Sequence, residues 1–550
     1  MTARGRAAGG VGLVLAAGLV LASGLVVERL GLFGAMKSEI QSLKVPAAAL
    51  RAGAGPIARL MEYKSRTGIE LQGIDGGLAP DAMPSSTVVP PAALATGLPL
   101  LSIVVDPDDL YDPVTGIVAN PKKRGMRWER SAYVSFFERG SLTFATGTGL
   151  RVHGGKSRNV PEPSYRLHFR KVYGREQFAP GALFSGTRDP IRSLVVHNDV
   201  RRHTREKEPE YWRFVNPLAY DVAARIGCLV AETLTVRLLV NGEDLGPYVL
   251  TEHLDENDVA ARLGHRDFVL VDTKPDQGPK EVKFGDPAVY DEFIAWATGA
   301  APLTLEQAAA RVDIENLARW FLSVLYLGPT DHNQGMQVLD RSRPGATWFW
   351  INWDMDHSFV DRRNQADHPW EFDAFSGVLT DKHDLRAPIL GRLLRDSPEF
   401  RDYFSRLFVD AMNHRVTREF VESRIAHYEA LAVAHGVQDR AYVAKEREFV
   451  KHRHEVLRDQ MRVYAGAGSS YRCSVTGNET VALEIDGFSA GTGYEGWYFE
   501  GMTITIRVPD GDRDRFSHWR VDGEIVAARD PELTVAVEGE TTIEVVFQQV

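Results

Sequence analysis

The chain has 550 residues, a formal net charge of −10 at pH 7 and a pI near 5.9. This length exceeds one ordinary hydrophobic core and predicts two or three domains, and 44% hydrophobic with 25% charged residues is typical of a globular protein. The acidic balance argues against a general nucleic-acid binder. The two cysteines, Cys228 and Cys473, provide no disulfide framework, so we expect both to be small buried side chains.

The N-terminal segment from Ala7 to Val27 is apolar and uncharged, and two arginines precede it. Such a run is long enough to span a bilayer, and the basic flank predicts an N-terminus inside and a body outside the membrane. A cleaved signal peptide is the alternative, because Ala22-Ser-Gly24 offers a small-residue cleavage site. We therefore predict a transmembrane signal anchor over residues 1–35 and a stalk or linker over residues 36–98, with the body extracytoplasmic.

A segment with glycines and cationic residues follows the start of the main domain. We predict a strand over 150–153, a loop over 154–158 and a second strand over 164–170. A hairpin loop carrying Lys156 and Arg158 can cover phosphates with backbone N–H groups and cationic side chains. The spacing is not that of a P-loop, and an ordinary structural hairpin is the alternative.

A helix and a hairpin come next. The helix is predicted over 213–226, and the hairpin has strands over 233–240 and 246–252 that meet at the turn signal Asn241-Gly242. Glu252 ends the returning strand. It either pairs with a cation, contacts a nucleotide or is an ordinary edge-strand charge.

A buried helix leads into the first part of an acidic constellation. Its start fits a Thr304–Gln307 capping box, its apolar residues recur at helical spacing, and it ends at Gly328-Pro329. Asp331 and Asn333 therefore lie on the loop just after the helix. Both residue types also favour ordinary turns, which is the structural alternative.

The second part of the constellation follows a predicted hairpin. Strands over 336–339 and 347–353 lead to Asp354 and Asp356, so the hairpin would bring the Asp331 loop close to the end of the second strand. Three carboxylates beside an amide suit a divalent cation such as Mg²⁺. A remaining carboxylate could accept a proton from an attacking hydroxyl.

The C-terminal third divides into a helical part and a β-rich part. Residues 398–464 have a helical pattern, and we interpret its histidines, among them His414, as helix-surface residues. Residues 473–550 alternate between apolar and polar positions, which predicts a separate all-β, sandwich-like module. Its Trp497, Tyr498 and Trp519 could face a ligand, but core packing is the favoured interpretation.

Several segments together resemble the CotH family of spore-coat protein kinases, which has an atypical kinase fold. They are the 150–157 loop with the strand from Ser164, the 216–252 helix and hairpin, the Asp331 loop and the 353–359 segment, and together they span roughly residues 100–465. The resemblance implies an α+β fold: a two-lobed atypical protein-kinase-like domain over 99–466, with a β-rich N-lobe and a helical C-lobe. The C-terminal β module and the N-terminal transmembrane helix would lie outside that domain.

The resemblance also implies a reaction, the transfer of a phosphoryl group from ATP to a protein Ser or Thr with Mg²⁺ or Mn²⁺. Asp331 would be the catalytic base or would position the hydroxyl, and Asp354 would hold the metal with Asp356 and Asn333. The residues implied near the nucleotide and its phosphates are Lys156, Arg158, Arg166 and Glu252.

Three functions follow from these patterns. The favoured one is a membrane-anchored kinase that acts on a protein substrate at the cell surface. The second is a surface interaction protein with a degenerate kinase-like domain, because Val360 stands where the family pattern has glycine. The third is a metal-dependent sugar-nucleotide transferase that uses Asp354-Met-Asp356, although alternating hairpins before a helical half favour the kinase-like layout over βαβ repeats.

Overall fold

The computed structural model describes residues 97–160, 162–174, 183–184, 191–198, 214–273, 281–359, 368–434, 440–526 and 530–548. The predicted anchor and nearly all of the predicted stalk lie outside these ranges. Within them, no helix combines the length and the apolar character needed to cross a bilayer. Both cysteines are free and buried, as predicted.

The chain divides into two compact units. The barrel unit comprises Met1–Phe214, Ala231–His265 and Ala432–Gln438, and the helical unit comprises Val215–Val230, Arg266–Leu431 and Asp439–Val550. The described strands are β1 (Leu100–Val105), β2 (Arg130–Glu138), β3 (Ser141–Val152), β4 (Tyr165–His168), β5 (Ser193–His197), β6 (Thr233–Val240), β7 (Glu243–Glu252), β8 (Phe268–Asp272), β9 (Glu281–Phe284), β10 (Met336–Asp340), β11 (Trp348–Ile351), β12 (Ser470–Gly477), β13 (Ala482–Ile485), β14 (Phe488–Gly491), β15 (Tyr494–Phe499), β16 (Thr503–Arg507), β17 (Phe516–Val521), β18 (Glu524–Ile525), β19 (Glu532–Ala536) and β20 (Thr541–Phe547).

The described α-helices are α1 (Pro107–Tyr111), α2 (Val215–Ile226), α3 (Glu256–Leu263), α4 (Pro287–Ala297), α5 (Leu305–Ala309), α6 (Ile314–Leu327), α7 (Ala374–Leu379), α8 (Arg386–Asp396), α9 (Pro398–Asp410), α10 (Arg418–Ala434) and α11 (Arg440–Tyr464). The mixed α+β class predicted from the sequence is confirmed.

Strands β1 to β7 form a closed barrel in the order β1-β2-β3-β4-β5-β7-β6. A parallel pairing of β1 with β6 closes the barrel, whereas the other neighbouring pairs are antiparallel. Apolar side chains at alternate positions, such as Leu101, Ile103 and Val105, belong to one buried cluster. Closure leaves this sheet without an edge strand.

The predicted hairpin at Asn241-Gly242 is confirmed by β6 and β7. Asn241 has φ of +52° and Gly242 has φ of +80°, as a tight two-residue hairpin turn requires. The Asn241 side-chain oxygen accepts a hydrogen bond of 2.8 Å from the backbone N–H of Val105. This bond ties the hairpin turn to the end of β1, next to the parallel β1–β6 pairing.

A four-stranded sheet in the order β11-β10-β8-β9 positions the acidic constellation in the helical unit. β10 and β11 are antiparallel, with Met336 opposite Ile351. The loop that enters β10 and the chain that leaves β11 therefore lie at the same end of the sheet. This is the arrangement that the hairpin prediction required.

The buried helix before the Asp331 loop was predicted as one element, and this is wrong. The Thr304–Gln307 capping box exists, but it caps the short α5. Val312 forms a β-bridge with Trp348, so a tertiary contact interrupts the helical pattern, and α6 begins anew at the N-cap Asp313. The predicted helix end is confirmed, because Gly328 is a left-handed C-cap with φ of +61°.

The predicted all-β character of the C-terminal region is confirmed by two sheets, of orders β15-β12-β20-β17-β18 and β14-β13-β16-β19. Trp519 is fully buried, in agreement with core packing. The same interpretation is wrong for Trp497, which is 38% exposed and carries the Arg458 guanidinium 4.3 Å from its ring centroid.

His414 is the second residue in this region whose sequence interpretation is wrong. It lies in a π-turn after α9, its side chain is only 4% exposed, and its ring stacks 4.5 Å from that of Phe488. The neighbouring Asn413 side chain exchanges two hydrogen bonds of 3.0 Å with the backbone of Trp497. This π-helical turn, Ala411–Arg415, thus contacts the edge strand β15.

Candidate active site

A small open cleft in the helical unit brings together residues from both acidic segments. It has a volume of about 10 Å³, which is room for about one water molecule, and is lined by Trp320, Val324, Pro329, Asp331, His332, Gln334, Asn352, Trp353, Asp354 and Met355. Asp331 comes from the loop after α6, and Asp354 follows β11. This volume is far below that of an ordinary ligand pocket, so the cleft has room for an ion or a water molecule but not for a nucleotide.

The Asp331 loop is held by contacts with its own residues and with α8. The Gln334 side-chain amide donates a hydrogen bond of 2.8 Å to Asp331 Oδ2. Arg386 donates one of 3.2 Å to the backbone carbonyl of His332. The Asp331 side chain is 16% exposed, so its carboxylate faces the cleft from a partly desolvated position.

Arg386 is the buried support of this loop. It is 1% exposed and donates to both carboxylate oxygens of Asp384, to Oδ1 at 2.9 Å and to Oδ2 at 2.8 Å. Its guanidinium lies 3.6 Å from the ring centroid of Trp320, which itself lines the cleft. Sequence reasoning missed Arg386, because the residue lies far from the motif and only the tertiary fold brings it there.

The two polar side-chain atoms of Asn333, a predicted metal ligand, differ in their hydrogen bonding. Its Nδ2 donates a hydrogen bond of 2.9 Å to Asp381, and its Oδ1 is buried and has no hydrogen-bond partner within the described residues. Burial acts to raise the pKa of Asp381, but the His332 imidazole, the His383 backbone N–H and Asn333 outweigh it, so this pKa is lowered. Asn333 itself is not among the residues that line the cleft.

Asp354 adopts an unusual backbone conformation, with φ of +58°. Its N–H donates a hydrogen bond of 2.9 Å to the Tyr220 hydroxyl, and the next N–H, of Met355, donates one of 2.7 Å to Asn216 on the same helix α2. Asp tolerates left-handed backbone better than most residues, although the conformation still costs about 1–3 kcal/mol. The contacts with α2 hold this turn and so fix where the Asp354 side chain begins.

Asp356 and His357 complete a group with Asp331. One ligand atom from each of the three side chains lies within 4.8 Å of the others. His357 Nε2 is 3.7 Å from Asp331 Oδ2 and 3.6 Å from Asp356 Oδ1. Sequence reasoning did not select His357, and the available signal was its position directly after Asp356 in a polar turn.

A second group of close ligand atoms comprises His332, Asp381 and Asp384. Here both carboxylate oxygens of Asp384 already accept hydrogen bonds from Arg386. This group is therefore less suited to a cation than the group with His357. Asp354 belongs to neither group in the described part of the chain.

In the barrel unit, the predicted phosphate ligand Arg158 is engaged with backbone. It donates hydrogen bonds to the carbonyl oxygens of Gly154 at 2.7 Å, Pro121 at 2.8 Å and Lys123 at 3.0 Å. These bonds hold the glycine-containing loop against the 121–123 segment. The side chain of Lys156 lies outside the described part of the structure, so its phosphate role stays a prediction.

Arg166 and Glu252 also have partners in the barrel unit. Arg166 donates to the Ser193 hydroxyl at 3.1 Å and faces Asp255 at 3.4 Å, and burial lowers its pKa to about 10. Glu252 is 6% exposed and pairs with Arg262. Both side chains are thus already engaged with protein partners, and their roles near a nucleotide stay predictions.

A family model described as "CotH kinase protein" matches residues 150–465. The chain belongs to the CotH kinase family. This match confirms the resemblance seen in the sequence, and it contains Asp331, Asp354 and the loop with Lys156.

One of the solved structures that match this CotH chain is a distant likeness. The "crystal structure of the golgi casein kinase" matches with 9% sequence identity and a TM-score of 0.28, over 57% of this chain and 74% of that one. No curated protein sequence matches significantly. A kinase-like function is therefore the coarse conclusion, and it rests on the family.

Proposed function

We propose that this CotH-family chain transfers the γ-phosphoryl group of ATP to a Ser or Thr hydroxyl of a protein, with the help of a divalent cation. The observation that carries the proposal is that Asp331 and Asp354, from separate segments, line one cleft. Family membership over residues 150–465 gives this pair its chemical meaning. Phosphoryl transfer needs mainly positioning and charge neutralisation, and the chain offers groups for both.

Asp331 is the group that orients the acceptor hydroxyl and takes its proton. Its carboxylate is held by the Gln334 amide at 2.8 Å, and the loop beneath it is fixed by Arg386. Such a fixed carboxylate can keep a hydroxyl in line with the phosphorus atom. The orientation of the loop is thus part of the proposed catalysis.

The cation would be held by side-chain oxygen donors of the two acidic segments. Bound there, a divalent cation neutralises charge on the transferred phosphoryl group. The donors proposed from the sequence are Asp354, Asp356 and Asn333. The chemistry of this set fits a divalent ion, because Asn333 Oδ1 is an unused acceptor and Asp356 has donor atoms close to those of Asp331.

The nucleotide part of the proposal rests on the barrel unit. Lys156, Arg158, Arg166 and Glu252 remain the residues proposed near the phosphates and the nucleotide. Arg158 would act indirectly by bracing the loop through its three carbonyl contacts. Arg166 faces Asp255, the N-cap of α3, at 3.4 Å, so it would orient the site electrostatically.

Location and partner are further parts of the proposal. The uncharged Ala7–Val27 segment with its basic flank supports a membrane anchor with an extracytoplasmic body. The acceptor would then be a protein at the cell envelope, and cleavage of the anchor would give a secreted form of the same enzyme.

The test is transfer of labelled γ-phosphate from ATP by the full-length chain, with Mn²⁺ or Mg²⁺, to itself and to Ser- and Thr-containing peptides. The Asp331→Asn variant should lose about 100-fold or more of the rate, as removal of a general base does. The matched control is Asp459→Asn, which removes an exposed carboxylate on α11, where the side chain is 73% exposed. Equal transfer by wild type and Asp331→Asn, or no transfer by either, would contradict the proposal and favour the interaction function.

A further inference from the structure

Asn352 follows β11 and is a buried polar residue in the wall of the cleft, with 3% of its surface exposed. Its backbone N–H donates a hydrogen bond of 2.8 Å to the Leu229 carbonyl. Its side-chain Nδ2 donates one of 3.2 Å to the Ser323 hydroxyl and lies 3.8 Å from the Met355 sulfur. The side-chain Oδ1 is also buried, and it has no hydrogen-bond partner within the described residues.

The orientation of this amide follows from the hydrogen bonds of Ser323. The Ser323 hydroxyl donates its one hydrogen to the Trp320 carbonyl at 2.7 Å, so it can only accept from Asn352. The amide atom beside Ser323 is therefore the nitrogen, and Oδ1 is the atom that Asn352 can offer to the cleft. Because a buried carbonyl oxygen without a partner is costly, we expect a hydrogen-bond donor there.

The size of the cleft limits what this donor can be. A volume of about 10 Å³ holds about one water molecule, and a buried water makes about two to four hydrogen bonds. The cleft wall contains two acceptors, Asn352 Oδ1 and the Asp331 carboxylate, whose Oδ2 also accepts from Gln334. Two acceptors suit a molecule with two hydrogens to donate, and water is such a molecule.

We infer that Asn352 and Asp331 together hold one water molecule in the cleft, and that this water is a second acceptor of the phosphoryl group, so that the chain also hydrolyses ATP. The hydrolysis rests on the proposed function, but the binding of the water does not. A water that donates one hydrogen to each residue keeps its lone pairs for the phosphorus atom.

The reaction is balanced without a further reactant. The water oxygen forms a bond with the γ-phosphorus, and the bond from this phosphorus to the bridging oxygen of ADP breaks. ADP leaves with the electron pair of that bond. One proton of the water passes to Asp331, and the other stays on the inorganic phosphate that is released.

Asn352 separates this reaction from transfer to a protein. A Ser or Thr hydroxyl gives its single hydrogen to Asp331 and needs no second acceptor, whereas water needs Asn352 to direct its second hydrogen. Loss of Oδ1 should therefore slow hydrolysis and spare transfer. A residue that only supports the fold would change both rates together.

The experiment measures both reactions in one assay of the full-length chain, with labelled ATP, Mg²⁺ and a Ser-containing peptide. Free phosphate and phosphopeptide are counted separately, and their ratio does not depend on how much of the protein is folded. Asn352→Leu keeps a similar side-chain shape and removes the acceptor oxygen. It should lose about tenfold in hydrolysis while transfer to the peptide stays at the wild-type rate.

The matched control is Asn316→Leu. Asn316 also joins α6 to β11, since it accepts from the Trp350 N–H at 2.7 Å and donates to the Trp350 carbonyl at 2.9 Å, but it does not line the cleft. Its substitution loosens the same packing, and the ratio of hydrolysis to transfer should stay as in the wild type. An unchanged ratio in Asn352→Leu, or equal changes in the two variants, would overturn the inference.

The binding of the water has a readout that needs no ATP. A high-resolution crystal structure of the nucleotide-free full-length chain should show one water about 2.5–3.0 Å from Asn352 Oδ1. A metal ion there at about 2.0–2.1 Å, or no ordered molecule, would overturn the inference. A chain that holds the water and uses ATP in neither reaction loses the proposed function and the hydrolysis with it. A chain that transfers phosphate with an unchanged ratio in Asn352→Leu keeps the proposed function and loses only the role of Asn352.

Discussion

The acidic cleft of the helical unit and the cationic loop of the barrel unit were selected by the same kind of sequence pattern, yet their side chains are used differently. Asp331 and Asp354 line an open cleft. Arg158, by contrast, donates hydrogen bonds from its guanidinium to three backbone carbonyl groups, and Glu252 forms an ion pair with Arg262. The two motifs therefore differ in where their charged side chains lie: those of the acidic motif line a cleft, whereas those of the cationic motif hold neighbouring segments of the barrel unit in place.

Each region is also supported by buried, ion-paired side chains. The Asp331 loop is supported by Arg386, an ion-paired side chain buried against Trp320. The barrel has its own buried charged centre, where Glu129 pairs with Arg151 at 2.5 Å and with Arg170 at 2.9 Å beside His168. Both supports are long-range networks, and each can be weakened to show which region depends on it.

The largest effect is expected from Arg386→Met. It leaves the Asp384 carboxylate buried without its ion-pair partner, so the free energy of unfolding should fall by about 3–5 kcal/mol. Urea unfolding followed by tryptophan fluorescence measures this, because Trp320 and Trp350 lie next to Arg386. Asp384→Asn combined with Arg386→Met should recover part of the loss.

The matched control for Arg386 is Arg395→Met, on the same helix α8. Arg395 is 62% exposed and pairs with Asp396, so its loss should cost less than about 1 kcal/mol. Equal effects of the two substitutions would show that the loop does not depend on a buried ion pair.

A smaller, pH-dependent effect is expected in the barrel unit. Burial, together with the charges of Arg166, Arg151 and Arg170, lowers the pKa of His168 to about 2. The unfolded chain takes up a proton near pH 6.5, about the ordinary histidine value, and the folded chain does not. The stability contributed by neutral His168 is therefore complete above about pH 6.5 and is lost as the pH falls toward 2, by up to about 1.4 kcal/mol per pH unit.

The measurement is the free energy of unfolding between about pH 6.5 and pH 4.5, values that bracket the onset of this loss. His168→Gln, which cannot take up a proton, should show a shallower decline than wild type. The control His383→Gln changes an exposed imidazole and should keep the wild-type slope. Identical slopes for all three proteins would mean that His168 is not kept neutral by the fold.

Local patterns predicted the elements whose cause is local. The β6–β7 turn follows from Asn241-Gly242, the α6 end from Gly328, and the β10–β11 hairpin from two short apolar strands. The hairpin pattern also predicts that the Asp331 loop lies near Asp354. The division between α5 and α6 could not be seen, because it depends on the Val312 bridge to a strand later in the chain.

The features of the fold and site that the sequence did not predict depend on contacts between residues far apart in the chain. The parallel β1–β6 pairing that closes the barrel leaves no periodic signal, since it depends on residues far apart in the chain. Arg386 and Asp381 reach the Asp331 loop only through tertiary contacts. His357 was visible next to Asp356, but its distance to Asp331 was not.

The most direct test of the central claim is calorimetric titration of the full-length chain with ATP in the presence of Mn²⁺, beside Asp354→Asn. Asn tolerates the left-handed backbone at this position, where φ is +58°, so the variant removes the charge and spares the turn. The account predicts saturable heat in the wild type and its loss in Asp354→Asn. No heat in the wild type, or equal heat in both proteins, would contradict it.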